Sequence, residues 1–187
     1  MSEDYIVRNC APTLAGLKTG SMFTCPCASR GKMIDSIRKL NKRLNPKGLR
    51  ILPLRFSDRN ALIYLYRPAQ LKSDLSNSTA SLLLLQRGYD PENCGKCLVH
   101  LVKKLRTQQV FPHEIGLFLG YPPEDVSGFI ENQACGCKCI GCWKVYGDEA
   151  AARKRFAQYK KCSRVYWDQW AKGKDIERLA VKNRRNQ

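Results

Sequence analysis

Polar and apolar positions along the chain alternate with two periods. Ile34, Ile37, Leu40 and Leu44 fall on one side of a helix, with Arg38, Lys39, Lys42 and Arg43 outward. Ser29 is placed to cap that helix, and Asn45-Pro46-Lys47-Gly48 to end it. Residues 49–56 and 61–66 then read as a β-hairpin turning at Ser57-Asp58-Arg59-Asn60. The second run, Ala-Leu-Ile-Tyr-Leu-Tyr, is apolar on both faces, as a central strand would be. Pro53 cannot donate to a ladder, which puts the first run at an edge or a bulge. Upstream, Pro12 suits the first turn of a short helix closed by Gly16 or Gly20, with Cys10 just ahead of it.

From residue 68 to 106 the pattern is helical with breaks, one at Gly88-Tyr89-Asp90-Pro91. Leu98, Leu101, Val102 and Leu105 form the last apolar stripe. Residues 111–132 read as two short helices split at Gly120-Tyr121-Pro122-Pro123. A cysteine-rich loop, 134–142, and a short strand at 143–146 follow. Asp148 caps a final long helix that turns Phe156, Tyr159, Tyr166, Trp167 and Trp170 inward. The expected class is α+β, a small, largely antiparallel sheet covered by several helices. A single domain is expected over 1–181, with a disordered basic tail at 182–187.

Charge changes the picture more than length does. The 187 residues carry 33 Lys and Arg against 16 Asp and Glu, a formal net charge of +17. No apolar run is long enough to span a bilayer, and the start Met1-Ser2-Glu3-Asp4-Tyr5 lacks the layout of a secretion signal, so a cytoplasmic protein without a membrane segment is expected. The basic excess sits in residues 38–72 and 143–187, whereas 111–142 is acidic. Arg153, Lys160 and Arg164 recur at i, i+7 and i+11 along the last helix, a stripe that faces either an anion or simply water.

The helices within 113–130 resemble a DNA-binding helix-turn-helix in their apolar spacing. The second one carries Glu124, Asp125 and Glu131 and no cation, where phosphates and base edges call for Arg, Lys, Asn or Gln. Nucleic-acid binding through this pair is therefore the lesser expectation.

Ten cysteines are unusual for a chain with this much apolar residue. Cys94-Gly-Lys-Cys97 and the run holding Cys135, Cys137, Cys139 and Cys142 offer thiols in turns, and Cys94, Cys97, Cys139 and Cys142 together have the composition of a zinc or iron–sulfur site. The alternative is a set of reduced thiols. Cys25-Pro-Cys27 is only loosely like a redox dithiol, and Cys162 suits a buried position. A helix start beside Cys10 would lower its thiol pKa. His113 is either a metal or haem-type ligand, a general acid or base, or a helix-start hydrogen-bonding group beside Glu114. Lys18 and Thr19 beside Gly20 form a weak anion-binding layout.

Three strings, Cys10-Ala-Pro-Thr-Leu-Ala-Gly-Leu-Lys18-Thr-Gly, the segment from Phe111 to Ile130, and Gly141-Cys-Trp-Lys-Val-Tyr-Gly-Asp148, resemble the DUF3793 family, a domain of unknown function in anaerobic bacteria. The likeness covers nearly the whole chain. It implies a redox-associated role, in the binding of a metal or a haem-like tetrapyrrole beside a flavodoxin-type partner. Cys10, Lys18, His113, Glu114, Trp143, Lys144 and Tyr146 lie within the matching strings, and no catalytic role comes with them. The alternatives are a nucleic-acid-binding protein and a structural zinc-binding adaptor.

Overall fold

The structure, a computed structural model, describes residues 1–108 and 110–182; the expected tail, Lys182 apart, lies outside them. Its elements run α1 (Glu3–Leu14), β1 (Gly20–Pro26), α2 (Arg30–Leu44), a 3-10 turn (Asn45–Lys47), β2 (Arg50–Phe56), β3 (Asn60–Tyr66), α3 (Pro68–Leu75) and α4 (Ser78–Leu85). They continue with α5 (Cys94–Thr107), α6 (Ile115–Phe118), α7 (Pro123–Glu131), β4 (Cys139–Ile140), β5 (Lys144–Val145), α8 (Glu149–Ala171) and α9 (Ile176–Leu179). The fold is α+β. Among the described residues no helix is long and apolar enough to cross a membrane. The chain divides into two compact units, a sheet unit of Met1–Ala69 with Tyr159–Gln187 and a helical unit of Gln70–Gln158.

In the sheet unit the strands lie in the order β1-β3-β2, antiparallel throughout. β3 is the central strand its two apolar faces call for, and the register of edge strand β2 slips between Pro53 and Arg55. One face of the sheet presents Phe23, Cys25, Ile51, Ile63 and Leu65 to a core completed by α1, α2 and α9. Ser29 accepts from Lys32 N as the cap of α2.

One expectation for the first 26 residues needs correction. The first helix starts at Glu3, so Pro12 falls in its last turn rather than its first. Burial of the stripe Ile6, Val7, Cys10, Ala11 and Leu14 outweighs the one hydrogen bond that a proline nitrogen forfeits. Strand β1, which the sequence pattern does not indicate, pairs with β3 along its full length although Gly20, Ser21 and Pro26 are poor strand formers.

Arg67 follows β3 and is wholly buried. Its Nε donates to Thr13 O (2.7 Å), and its Nη2 to Leu14 O (2.7 Å) and Val181 O (2.8 Å). The guanidinium thus closes the carbonyl end of α1 and pins the chain after α9 beside it. Burial lowers its pKa from the usual arginine value.

In the helical unit, Asn77 and Asn93 cap α4 and α5, and Asp148 accepts from Ala151 N at the start of α8. Leu71, Leu75, Leu84, Leu101, Leu105 and Phe118 fill the interior. Buried in that interior, Glu114 accepts from Tyr89 Oη (2.9 Å) and Lys104 Nζ (2.7 Å). Desolvation pulls its carboxyl upward, but those hydrogen bonds and the Lys104 charge outweigh it and hold the group below the usual glutamate value.

Candidate ligand cavity

The segment ahead of α6, helix α7 and the β4–β5 hairpin line a half-open cavity of about 340 Å³ within the helical unit. Its walls are aromatic (Phe111, Tyr121, Phe129, Trp143) and aliphatic (Ile115, Val126, Ile140). Phe111 and Ile140 remain exposed. Tyr121 stacks on Trp143 with centroids 4.8 Å apart, and Trp143 meets Phe156 edge-on at 4.6 Å. Such contacts leave the indole few ways to turn, so the wall is set before anything binds.

Close backbone approach makes this packing possible. A Cβ at Gly116 would lie 2.7 Å from Val126 Cγ2, and one at Gly141 would lie 2.2 Å from the Phe156 ring. Only glycine fits either place without displacing a neighbour.

Asp125 organises the polar side. Its Oδ2 accepts from Trp143 Nε1 (2.7 Å), and its Oδ1 accepts from Tyr146 N and Gly147 N, each at 2.7 Å. Both oxygens are thereby engaged, and the acid is buried as a brace between α7 and the segment after β5. This explains the acidic second helix of the helix-turn-helix look-alike: one of its acids works inside the protein.

His113 and Lys144 are the basic side chains on the cavity wall. His113 is exposed and meets Phe129 edge-on at 5.1 Å. Lys144 Nζ lies 5.9 Å from the Phe129 centroid and donates to Ala134 O at 2.8 Å. That carbonyl comes from a tight turn in which Gln133 and Ala134 both take positive φ, 49° and 66°. Non-glycine residues hold this conformation at a cost that the surrounding structure must meet. The arrangement leaves a cation at the edge of an apolar chamber, able to meet one anionic group of an otherwise apolar molecule.

The remaining expected positions fall elsewhere. Glu114, next to His113, turns inward to Tyr89 and Lys104 and does not line the cavity. Tyr146 packs against Gly128, outside the cavity lining, with its hydroxyl buried and lacking a hydrogen-bond partner among the described residues. Cys10 belongs to the sheet unit, inside α1 rather than ahead of a helix, and is wholly buried. Burial raises its thiol pKa, against the nearby Lys18 charge, so the activated thiol expected there is corrected. Lys18 follows α1 in the turn to β1. On α8, Arg153 is held by Glu149 (2.6 Å), while Lys160 and Arg164 are exposed in the part belonging to the sheet unit.

The four cysteines expected to hold a metal, Cys94, Cys97, Cys139 and Cys142, are not gathered into one cluster. Among the described residues no three His, Cys, Asp or Glu side chains come together as a metal-holding group. Cys97 is buried at the start of α5 and donates to Asp90 O at 3.0 Å, and burial pushes its thiol up to about 11. Cys94 is half-buried, Cys139 lies in β4, and Cys142 is exposed in the hairpin turn. Cys162 is half-buried, with its thiol raised to about 11 by burial.

Sequence reasoning missed Phe111, Tyr121, Asp125 and Phe129 as wall residues. The available signal was an acid beside Val126 on the buried side of α7, together with the density of aromatics from 111 to 146. A family model described as a protein of unknown function, DUF3793, matches residues 6–180. No curated protein and no solved structure matches.

Proposed function

The chain belongs to the DUF3793 family, and from that footing we propose that its helical unit binds a flat, mostly apolar small molecule bearing one anionic group. The observation that carries this reading is the aromatic cavity with Lys144 at its edge and its one acid, Asp125, already hydrogen-bonded. Small-molecule sites share this composition, apolar walls with a few polar groups that fix orientation. The ring system would lie against Phe129 and Trp143, and its acid would meet the Lys144 ammonium, with His113 beside the mouth.

Volume narrows the ligand class. A cavity of about 340 Å³ stands at the lower end of the roughly 300–1,000 Å³ typical of such sites. It suits a bicyclic or tricyclic aromatic acid held whole, whereas a haem-like tetrapyrrole would enter by one edge. Calorimetric titration of the full chain with 2-naphthoate, 2-naphthalenemethanol and protoporphyrin IX separates these cases. The expected result is saturable binding of the naphthoate, at least tenfold tighter than the uncharged alcohol, as loss of one charge-assisted hydrogen bond of about 1.5–3 kcal/mol implies. Equal affinity for acid and alcohol would remove Lys144 from the account, and no binding of either would remove the cavity.

A further inference from the structure

The sheet unit has a different and independent feature. It carries 22 Lys and Arg against 7 Asp and Glu, a net of +15, so it holds nearly all of the chain's +17. Within it a groove of about 400 Å³ lies among the 3-10 turn, the start of β2 and the residues after α9. Lys47, Arg50 and Lys182 line it, and no acid does. Among the described residues none of these three cations makes an ion pair. Arg43, by contrast, is committed to Glu3 and Glu177.

We propose that this groove is the centre of a nucleic-acid-binding surface that grips the phosphodiester backbone without reading sequence. Three cations gathered around one concavity repel each other unless an anion joins them, and phosphates spaced along a strand do so repeatedly. The chain enters the groove from α2, whose outer face adds exposed Lys32, Lys39 and Lys42. The groove lining carries no aromatic residue. Protein-binding surfaces are enriched in aromatics and depleted in lysine at their centres, so a phosphate backbone fits this composition better than an acidic protein. The helix pair at 113–130 takes no part, since its second helix is acidic and braces the cavity.

The test is fluorescence anisotropy of a labelled, mixed-sequence 20-nucleotide single strand with the full chain, across a range of salt concentrations. The wild-type protein is expected to bind, with affinity falling linearly on a logarithmic salt scale. K47Q/R50Q/K182Q is expected to bind at least tenfold more weakly at low salt. Its salt slope should be shallower by about 2, the sum of three phosphate contacts at roughly 0.7 each. A matched variant of exposed cations in the helical unit, K72Q/K103Q/K154Q, should stay within twofold of wild type. Equal loss in both variants would overturn the proposal in favour of net charge alone, as would absence of binding at low salt. Displacement by polyglutamate at equal charge concentration would overturn the choice of nucleic acid. Circular dichroism of each variant verifies folding, and K182Q alone, at an exposed position near the chain end, gives a milder version with the same expected direction.

Discussion

The two units bury charge in opposite ways. The sheet unit is strongly basic, and among the described residues the charged side chain it buries is a cation, Arg67, met by main-chain carbonyls. The helical unit, with 11 Lys and Arg against 9 Asp and Glu, is nearly neutral, and it buries two carboxylates, Glu114 and Asp125. Each carboxylate gathers donors from separate elements. A buried charge costs several kcal/mol unless hydrogen bonds replace its water, so both units spend theirs on fixing segments distant in sequence. In the sheet unit this closes a helix end, and in the helical unit it shapes a chamber. Among the described residues of the sheet unit, Lys32, Lys39, Lys42 and Arg50 are exposed.

The largest effect should come from removing the chamber's brace. Asp125→Ala leaves an indole N–H and two backbone N–H groups without their acceptor, and about 4 kcal/mol of unfolding free energy should be lost in urea titration. Arg67→Met strips donors from four carbonyls of the sheet unit, and a loss of about 3 kcal/mol is expected. If Arg67→Met proved neutral, the buried cation would be incidental and the comparison would fail on that side.

Gly141→Ala is expected to cost about 2 kcal/mol, because the new methyl must push the Phe156 ring and, through it, Trp143. The same variant should weaken 2-naphthoate binding while leaving strand-binding by the sheet unit unchanged.

A smaller and reversible effect follows from pH. The Glu114 carboxyl is held below its unfolded value of about 4.3, so its ionised form stabilises the fold above that pH. The contribution is lost as pH falls through the lower folded value. Acid should therefore loosen the helical unit by this route, and Arg67, which stays charged, gives the sheet unit no matching loss. Emission of Trp143 followed against pH in a W167F/W170F chain reports the first, and that of Trp167 and Trp170 in a W143F chain reports the second. Replacing Glu114 with Gln should flatten the acid limb of the Trp143 curve.

Helix α2, the β2–β3 hairpin and α8 were legible because each carries its own signal: a capped apolar stripe, a paired run with a turn, or a long inward face. β1 was not, since its strand character comes from pairing with β3 rather than from residue preference. The misplacement of Pro12 carried Cys10 with it, turning a core residue into an expected reactive one. The cavity was hidden for another reason. Phe111, Tyr121, Phe129 and Trp143 follow no single period, and they meet only because Gly116 and Gly141 allow close packing and Asp125 holds the hairpin. His113 and Lys144 stood out in the sequence, and the cavity brings them to one wall, whereas Glu114 beside them serves the interior.

The most direct test of the ligand-binding claim is quenching of Trp143 emission by 2-naphthoate in the W167F/W170F protein, measured beside its Lys144→Met derivative. The account predicts a saturable change in the parent and at least tenfold weaker binding when the ammonium is gone. A linear, unsaturable response, or the same affinity in both proteins, would contradict it.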